Sequence, residues 1–233
     1  MIDIHSHILP FVDDGSSSME DSINLVREAV KSGVKHLFLT PHYREPYFHE
    51  TGKIKESFEN FKKEVIKNDL GINLYLGEEL FLSKDYKSLL KNGEILTLND
   101  TKFVLVEFGA CSDFEMKEMI YSIVKSGYSP IVAHVERYKC IDEILASEIK
   151  HLGGFIQVNS GSIIDAINFR VKRRVKKLFE NGVVDFVASD AHKVRKYSIK
   201  NAYEVVVKKY GKDVADKVFY TNAKEIIYSQ TKN

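Results

Sequence analysis

The feature that most constrains this chain is a repeating unit: a short apolar run, a polar spot, an amphipathic stretch, then a glycine before the next apolar run. Seven such runs occur, at 2–4, 34–39, 72–76, 103–106, 130–133, 155–158 and 183–188. Most are too uniformly hydrophobic for strands with one face in water, which fits a parallel sheet covered on both sides by crossover helices. Helical periodicity places helices at 19–32, 53–68, 84–91, 114–126, 141–152, 168–181 and 196–210, with further helix at 212–220 and 222–230. Gly33, Gly71, Gly127, Gly153 and Gly182 each fall just past a helix, where the chain turns left-handed and a β-carbon would be penalised.

Alternation alone leaves open whether the βα units close into a barrel or lie as an open sheet; the polar residues that follow each run decide it. His5 and His7 follow the first run, His42 the second, and Glu78 with Glu79 the third. The fourth ends in Glu107, the fifth in His134, the sixth in Asn159 and Ser160, and the seventh in Asp190 and His192. In a barrel those ends share one mouth, where barrel enzymes carry their active sites. In an open sheet ligands bind at a single switch point, and residues from nearly every strand would lie too far apart to meet. The distribution favours closure of the βα units into a barrel. With 233 residues and no Gly/Ser/Pro-rich linker, residues 1–233 are expected to form a single domain.

Composition removes several classes of function. The chain is 44% hydrophobic and 29% charged, as folded globular proteins are. Its 34 basic and 33 acidic residues leave a formal charge of +1, so the strong positive field of a nucleic-acid binder is missing and no such partner is expected. The densest basic run, 170–177, interleaves with Val171 and Val175 in a helical rhythm and reads as a solvated helix face. No leader opens the chain and no run approaches a membrane span, so a cytoplasmic protein without membrane insertion is expected. Cys111 and Cys140 have neither zinc-knuckle spacing nor the number a disulfide framework needs, and both read as reduced and structural.

A lone histidine or carboxylate at a strand end is more often a cap or a turn former than a ligand, so the weight lies in the joint pattern. His5-Ser6-His7 alternates with the strand period and points two imidazoles to one side; Asp190-Ala191-His192 repeats that spacing. Adding Asp14, His42, Glu79, Glu107 and His134 gives nine candidate ligands. Imidazole and carboxylate without thiolate suit manganese, iron, cobalt or zinc, and nine donors suit two or three divalent ions with carboxylate bridges. Because four of the nine are anionic, three ions with a bridging hydroxide leave about one positive charge, which attracts a phosphate dianion. Closely spaced ions lower the pKa of a bridging water and clamp phosphoryl oxygens, so hydrolysis by metal-bound hydroxide needs no side-chain nucleophile.

Other phosphatase chemistries lack their parts. Neither cysteine has an arginine six positions on, and no Gly-Lys-Ser/Thr loop occurs. Arg137, three residues beyond His134, is placed to reach the rim and offer a two-pronged guanidinium to phosphate; Arg44 and Arg195 are further candidates. Tyr43, Tyr47, Phe48 and Tyr138 lie near these positions and offer walls for an aromatic ester. His36, His49 and His151 read as structural or exposed. The segment 43–53 is either a lid or a plain connection.

The ordered set Asp3-Ile-His-Ser-His7, Val12-Asp-Asp-Gly15, Thr40-Pro-His42, Gly77-Glu-Glu79, Val106-Glu-Phe108, Ala133-His-Val-Glu-Arg-Tyr138, Gln157-Val-Asn-Ser160 and Ala188-Ser-Asp-Ala-His192 resembles the PHP (polymerase and histidinol phosphatase) superfamily over essentially the whole chain. Within it, the chain looks like the bacterial manganese-dependent protein tyrosine phosphatases of capsule and exopolysaccharide operons. The resemblance implies an α/β fold of the distorted (β/α)7 TIM-like barrel type, a three-metal site, and hydrolysis of phosphotyrosine on a cognate, membrane-associated tyrosine autokinase. Motif by motif it makes His5, His7, Asp14, His42, Glu79, Glu107, His134, Asp190 and His192 the metal ligands, with Arg137 holding the phosphate. His192 is counted with Arg137 as catalytic, and Arg44 with Arg137 as substrate-binding. Asp13 stands as an alternative to Asp14, and Glu78 to Glu79. Val135 replaces a proline common in the family, a change expected to alter the loop rather than the site. Two rival readings stay open: a small-molecule phosphatase of the histidinol phosphatase type, and a catalytically decayed module that binds a kinase. The oligomeric state is not readable.

Overall fold

The computed structural model describes residues 1–229 except 49, 84, 165–167 and 194–196. Its strands are β1 (Ile2–Asp3), β2 (His36–Leu39), β3 (His42–Tyr43), β4 (Asn73–Leu76), β5 (Glu79–Leu82), β6 (Phe103–Phe108), β7 (Ser129–Val132), β8 (Phe155–Asn159) and β9 (Phe186–Ala188). The helices are α1 (Met19–Lys31), α2 (Thr51–Lys67), α3 (Tyr86–Asn92), α4 (Asp113–Lys125), α5 (Glu143–His151), α6 (Ser160–Ile164), α7 (Phe169–Glu180), α8 (Ile199–Tyr210), α9 (Lys212–Asp216) and α10 (Asn222–Tyr228), with a π-helical turn at Lys217–Thr221 between the last two. Helix starts follow local chemistry: the Ser18 hydroxyl accepts the Asp21 N–H ahead of α1, and Ser112 with Glu115 forms a reciprocal capping box on α4. The five expected stop glycines all take positive φ. At Gly153 a β-carbon would also meet Val124 Cγ1 at 3.2 Å.

All strand pairing is parallel, in the orders β1-β2-β4 and β3-β5-β6-β7-β8-β9. The two sheets are parts of one ring. β2 runs on into β3 and β4 into β5, and the pairing bridges both breaks through Gly77 N–H to Leu39 O and Glu79 N–H to Pro41 O, each 3.0 Å. The ring closes between the first and last strands by the Ser6–Ala191 bridge and the Asp190 N–H to His5 O bond of 2.9 Å. The result is a distorted (β/α)7 barrel. The interruptions were not expected from the sequence. The break between β4 and β5 falls at Glu78, which leaves the ladder to bond Leu96 through both its backbone and its carboxylate, and that between β2 and β3 falls at Pro41, which has no N–H to donate.

Uniformly apolar strands are wanted because both of their faces are covered. Ile2, Ile4, Phe38, Phe103, Leu105, Ile131, Ala133, Phe186 and Ala188 fill the barrel interior. The intervening Leu37, Leu39, Val104, Val106, Val132, Ile156, Val158 and Val187 pack against the helices. Ala223 and Ile226 of α10 join the inner cluster. Asn222 bonds Asp185 O just ahead of β9, so α10 plugs the N-terminal end of the barrel and leaves the opposite end as its mouth. No helix among the described residues is long and apolar enough to cross a membrane.

Candidate metal centre

Inward positions change character along each strand. On β6, Phe103 and Leu105 give way to Glu107; beyond β7, Ala133 gives way to His134; on β8, Phe155 gives way to Gln157 and Asn159; beyond β9, Ala188 gives way to Asp190. The apolar core of the barrel therefore ends in a floor of donors. Two of them sit on strained backbone, His134 at φ 35° and Asp190 at φ 49°. Such conformations cost of order 1–3 kcal/mol each and collect at functional sites.

The donors converge. His5 Nε2 and His7 Nε2 lie 3.1 Å apart, and both face Glu79 Oε2, at 3.4 and 3.3 Å, and Asp190 Oδ1, at 3.7 and 3.5 Å. His134 Nε2 is 2.8 Å from Glu79 Oε1 and 3.7 Å from Glu107 Oε1. His42 Nε2 and His192 Nε2 approach Asp14 Oδ1 at 3.6 and 3.8 Å. Three groups are compact enough to share a cation, each within 4.8 Å: His7 with Asp14, His42 and His192; His5 with His7 and Asp190; and His42 with Glu79 and Glu107. His7 and His42 each belong to two groups, as ligands between neighbouring ions do. His134 falls in none of the three, its Nε2 being engaged with Glu79.

The chemistry of the set fits divalent cations. His42 Nδ1 and Glu79 Oε2 are 2.9 Å apart, yet both are buried without a hydrogen-bond partner. Leaving such atoms unsatisfied costs about 1–3 kcal/mol apiece, which an ion bound to both would remove. Burial disfavours charge at this site, but pairing outweighs it. The Glu79 carboxyl is held well below its usual range, against burial, by His5, His134 and His42. His7 is lifted well above its usual range, against burial, by Asp13 and Glu79.

The two ambiguous pairs separate. Asp13 is buried and turned away from the cluster: its carboxylate accepts from His7 Nδ1 at 2.7 Å, Gly15 N–H at 2.9 Å and His42 N–H at 3.1 Å. These contacts, His7 foremost, hold it at about 2 against the effect of burial. Asp14 faces the imidazoles and is exposed. Glu78 accepts from Leu96 N–H and the Thr51 hydroxyl, and burial pushes its carboxyl up to about 7; Glu79 alone enters the cluster.

Arg137 ion-pairs with Asp190 Oδ2 and is partly exposed at the rim. Arg44 instead lays its guanidinium 4.3 Å over the Phe81 ring. Tyr138 stands 6.0 Å from His134 and Phe48 6.3 Å from His42, ring centre to ring centre, whereas Tyr43 is buried in the outer core and Tyr47 is exposed. Within 43–53, Arg44–Phe48 is a tight turn with its own backbone bonds, and Thr51 already begins α2. Ser160 Oγ bonds Ser198 rather than the cluster. His36 bonds the Tyr75 hydroxyl and His151 its own helix; His49 and Arg195 lie outside the described residues.

Sequence reasoning noted Asn159 at its strand end and Gln157 within a motif, but gave neither a role in holding the candidate ligands. Gln157 Oε1 bonds both His5 Nδ1 and the His134 N–H, each at 3.0 Å. Its amide donates to Asn159 Oδ1, and Asn159 donates to Asp190 Oδ2 at 2.7 Å. The signal was present: two amides two residues apart on a buried strand share a face.

Fold and cluster together define a class: a closed (β/α)7 barrel with imidazoles and carboxylates of metal-binding chemistry gathered at its C-terminal mouth. The chain belongs to the CpsB/CapC capsular polysaccharide synthesis family, whose model matches residues 1–228. It is 35% identical to the tyrosine-protein phosphatase CpsB of Streptococcus agalactiae, over 97% of this chain and 98% of that protein. It is 32% identical to the tyrosine-protein phosphatase YwqE of Bacillus subtilis, over 99% of this chain and 93% of that one. Among solved structures, it matches one from a set described as YwqE of Bacillus subtilis and CpsB of Streptococcus pneumoniae, unique metal-dependent tyrosine phosphatases. The TM-score is 0.90 at 31% identity, covering all of this chain and 96% of that one.

Proposed function

We propose that this chain is a metal-dependent protein tyrosine phosphatase. It acts as one domain in the cytoplasm on the phosphotyrosines of a membrane-associated tyrosine autokinase in capsule or exopolysaccharide synthesis, with manganese as its native metal. The observation that carries this reading is the convergence of His5, His7, Asp14, His42, Glu79, Glu107, His134, Asp190 and His192 from nearly every strand onto one mouth, in a chain whose full-length relatives are tyrosine-protein phosphatases. Bound divalent ions would supply an activated water and positive charge for the phosphoryl oxygens.

The chain's own groups do the rest. Asn159 and Arg137 both bond Asp190 Oδ2, which leaves Oδ1 facing His5 and His7. Asp190 O in turn fixes His192 Nδ1 at 2.9 Å and turns its Nε2 toward Asp14. The rim position of Arg137 offers its remaining N–H donors to a phosphate, and Tyr138 and Phe48 supply the aromatic flank a phenyl ester needs.

A substrate panel tests the proposal: manganese-loaded protein should hydrolyse phosphotyrosyl peptides in preference to histidinol phosphate. The reverse preference would assign it to the small-molecule phosphatases, and no turnover with manganese, cobalt or zinc would leave only a binding module.

A further inference from the structure

A groove of about 370 Å³ lies between α7 and α8, running from Ser162 and Phe169 on the mouth side to Phe179 and Tyr210 at the ends of the two helices away from it. Phe169 and Phe179 are among its apolar walls, and Lys172, Arg173, Lys176 and Lys209 are its charged ones; among the described residues no acidic one lines it. Phe179 is buried, its ring stacked 4.9 Å from Tyr210, but Phe169 is 78% exposed. Lys176 is 3.5 Å from Glu180, while among the described residues Lys172 and Lys209 have no carboxylate within 4.0 Å. A solvated helix face accounts for lysines; it does not account for a bare phenyl ring at the edge of an apolar cleft. On a chain of net charge +1, this is a strong local asymmetry.

The groove is fastened to the rim of the metal centre. Ser162, one of its lining residues, belongs to α6, which directly follows β8, and its hydroxyl donates to Glu136 Oε1 at 2.7 Å. Arg174 of α7 donates to the Glu136 carbonyl at 2.6 Å. Both bonds end on the residue next to Arg137.

We propose that this groove docks an acidic, aromatic- or aliphatic-bearing stretch of the phosphoprotein flanking its phosphotyrosine, so that the substrate is held at two places. The four cations match carboxylates in the segment, and the apolar walls match one large side chain. The inference rests on the phosphatase reading above.

Steady-state kinetics of the manganese-loaded full chain test it, with Lys172→Glu/Arg173→Glu/Lys209→Glu and, separately, Phe169→Ala. Three substrates are compared: p-nitrophenyl phosphate, a phosphotyrosyl peptide with Ser/Gly flanks, and one flanked by Asp/Glu and a phenylalanine. The triple variant should raise KM for the acidic peptide by about tenfold or more with kcat unchanged, leaving the other two substrates unaffected. Phe169→Ala should shift KM in the same direction by less. Fluorescence anisotropy should show the unphosphorylated acidic peptide binding the native chain and not the triple variant. An unchanged KM for the acidic peptide overturns the docking site while leaving the phosphatase standing, whereas a native chain inactive on every phosphotyrosyl substrate overturns both. If the substitutions abolish sedimentation with phosphatidylserine vesicles and leave the peptide KM unmoved, the groove belongs to a membrane surface and the proposal falls.

Discussion

Asp13 and Asp14 are neighbours with opposite orientations. Asp13 commits its carboxylate to His7 Nδ1 and two backbone amides, which fixes the tautomer that turns His7 Nε2 to the cluster. Partners of this kind typically set metal affinity by 10- to 100-fold. Asp13→Asn is therefore expected to weaken metal binding by about that factor while saturating metal restores turnover, as a metal titration of activity would show; loss that no metal concentration reverses would make Asp13 itself a ligand. Adjacent carboxylates look alike in sequence, and only the fold of the turn after His7 tells them apart. A second pair of substitutions divides binding from chemistry. His134→Ala should abolish turnover and lower metal content. Arg137→Ala should keep the metals, because Asn159 still holds Asp190, and lose about 10²–10³ in kcat, as removal of a donor to developing negative charge does. Equal metal loss in both variants would show that Arg137 serves the ligand set instead of the phosphate.

At the level of elements, the seven strand positions could be read from uniformly apolar runs, because a strand covered on both faces must be apolar on both. The break that makes β5 could not, since it depends on Glu78 reaching Leu96 and Thr51, contacts distant in sequence. That buried carboxyl also gives the fold a pH dependence. Its pKa stands at about 7 in the folded chain against an ordinary 4.5, so the unfolded chain ionises first as pH rises. Stability from this group is full below the ordinary value and falls as pH climbs toward about 7, by roughly 3 kcal/mol in all. Glu78→Gln should flatten that fall, and urea unfolding of both proteins at about pH 5 and about pH 8 measures it; parallel changes in the two would contradict the assignment. The short helix α6 escaped the sequence reading because its five residues, Ser160–Ile164, are too few to show a period.

For the whole molecule, the closure of the barrel was legible only indirectly. Nothing in the periodicity of the runs demands it; donors at nearly every strand end do, because only a ring brings Asp190 back beside His5 across most of the sequence. That donors gather at one mouth was readable for the same reason; Gln157 and Asn159 could be placed on one face by their spacing, but not given a role, because an amide inside a barrel reveals it only through the imidazole and backbone groups it happens to face. The most direct test of the shared centre is elemental analysis of manganese-reconstituted protein, with phosphotyrosine turnover measured before and after dialysis against a chelator. About two to three ions per chain are expected, with activity lost as they leave and regained when manganese is restored. Full turnover from protein holding less than about one ion per chain would contradict the account, since the histidines and carboxylates would then meet at the barrel mouth without sharing the cations that the proposed chemistry requires.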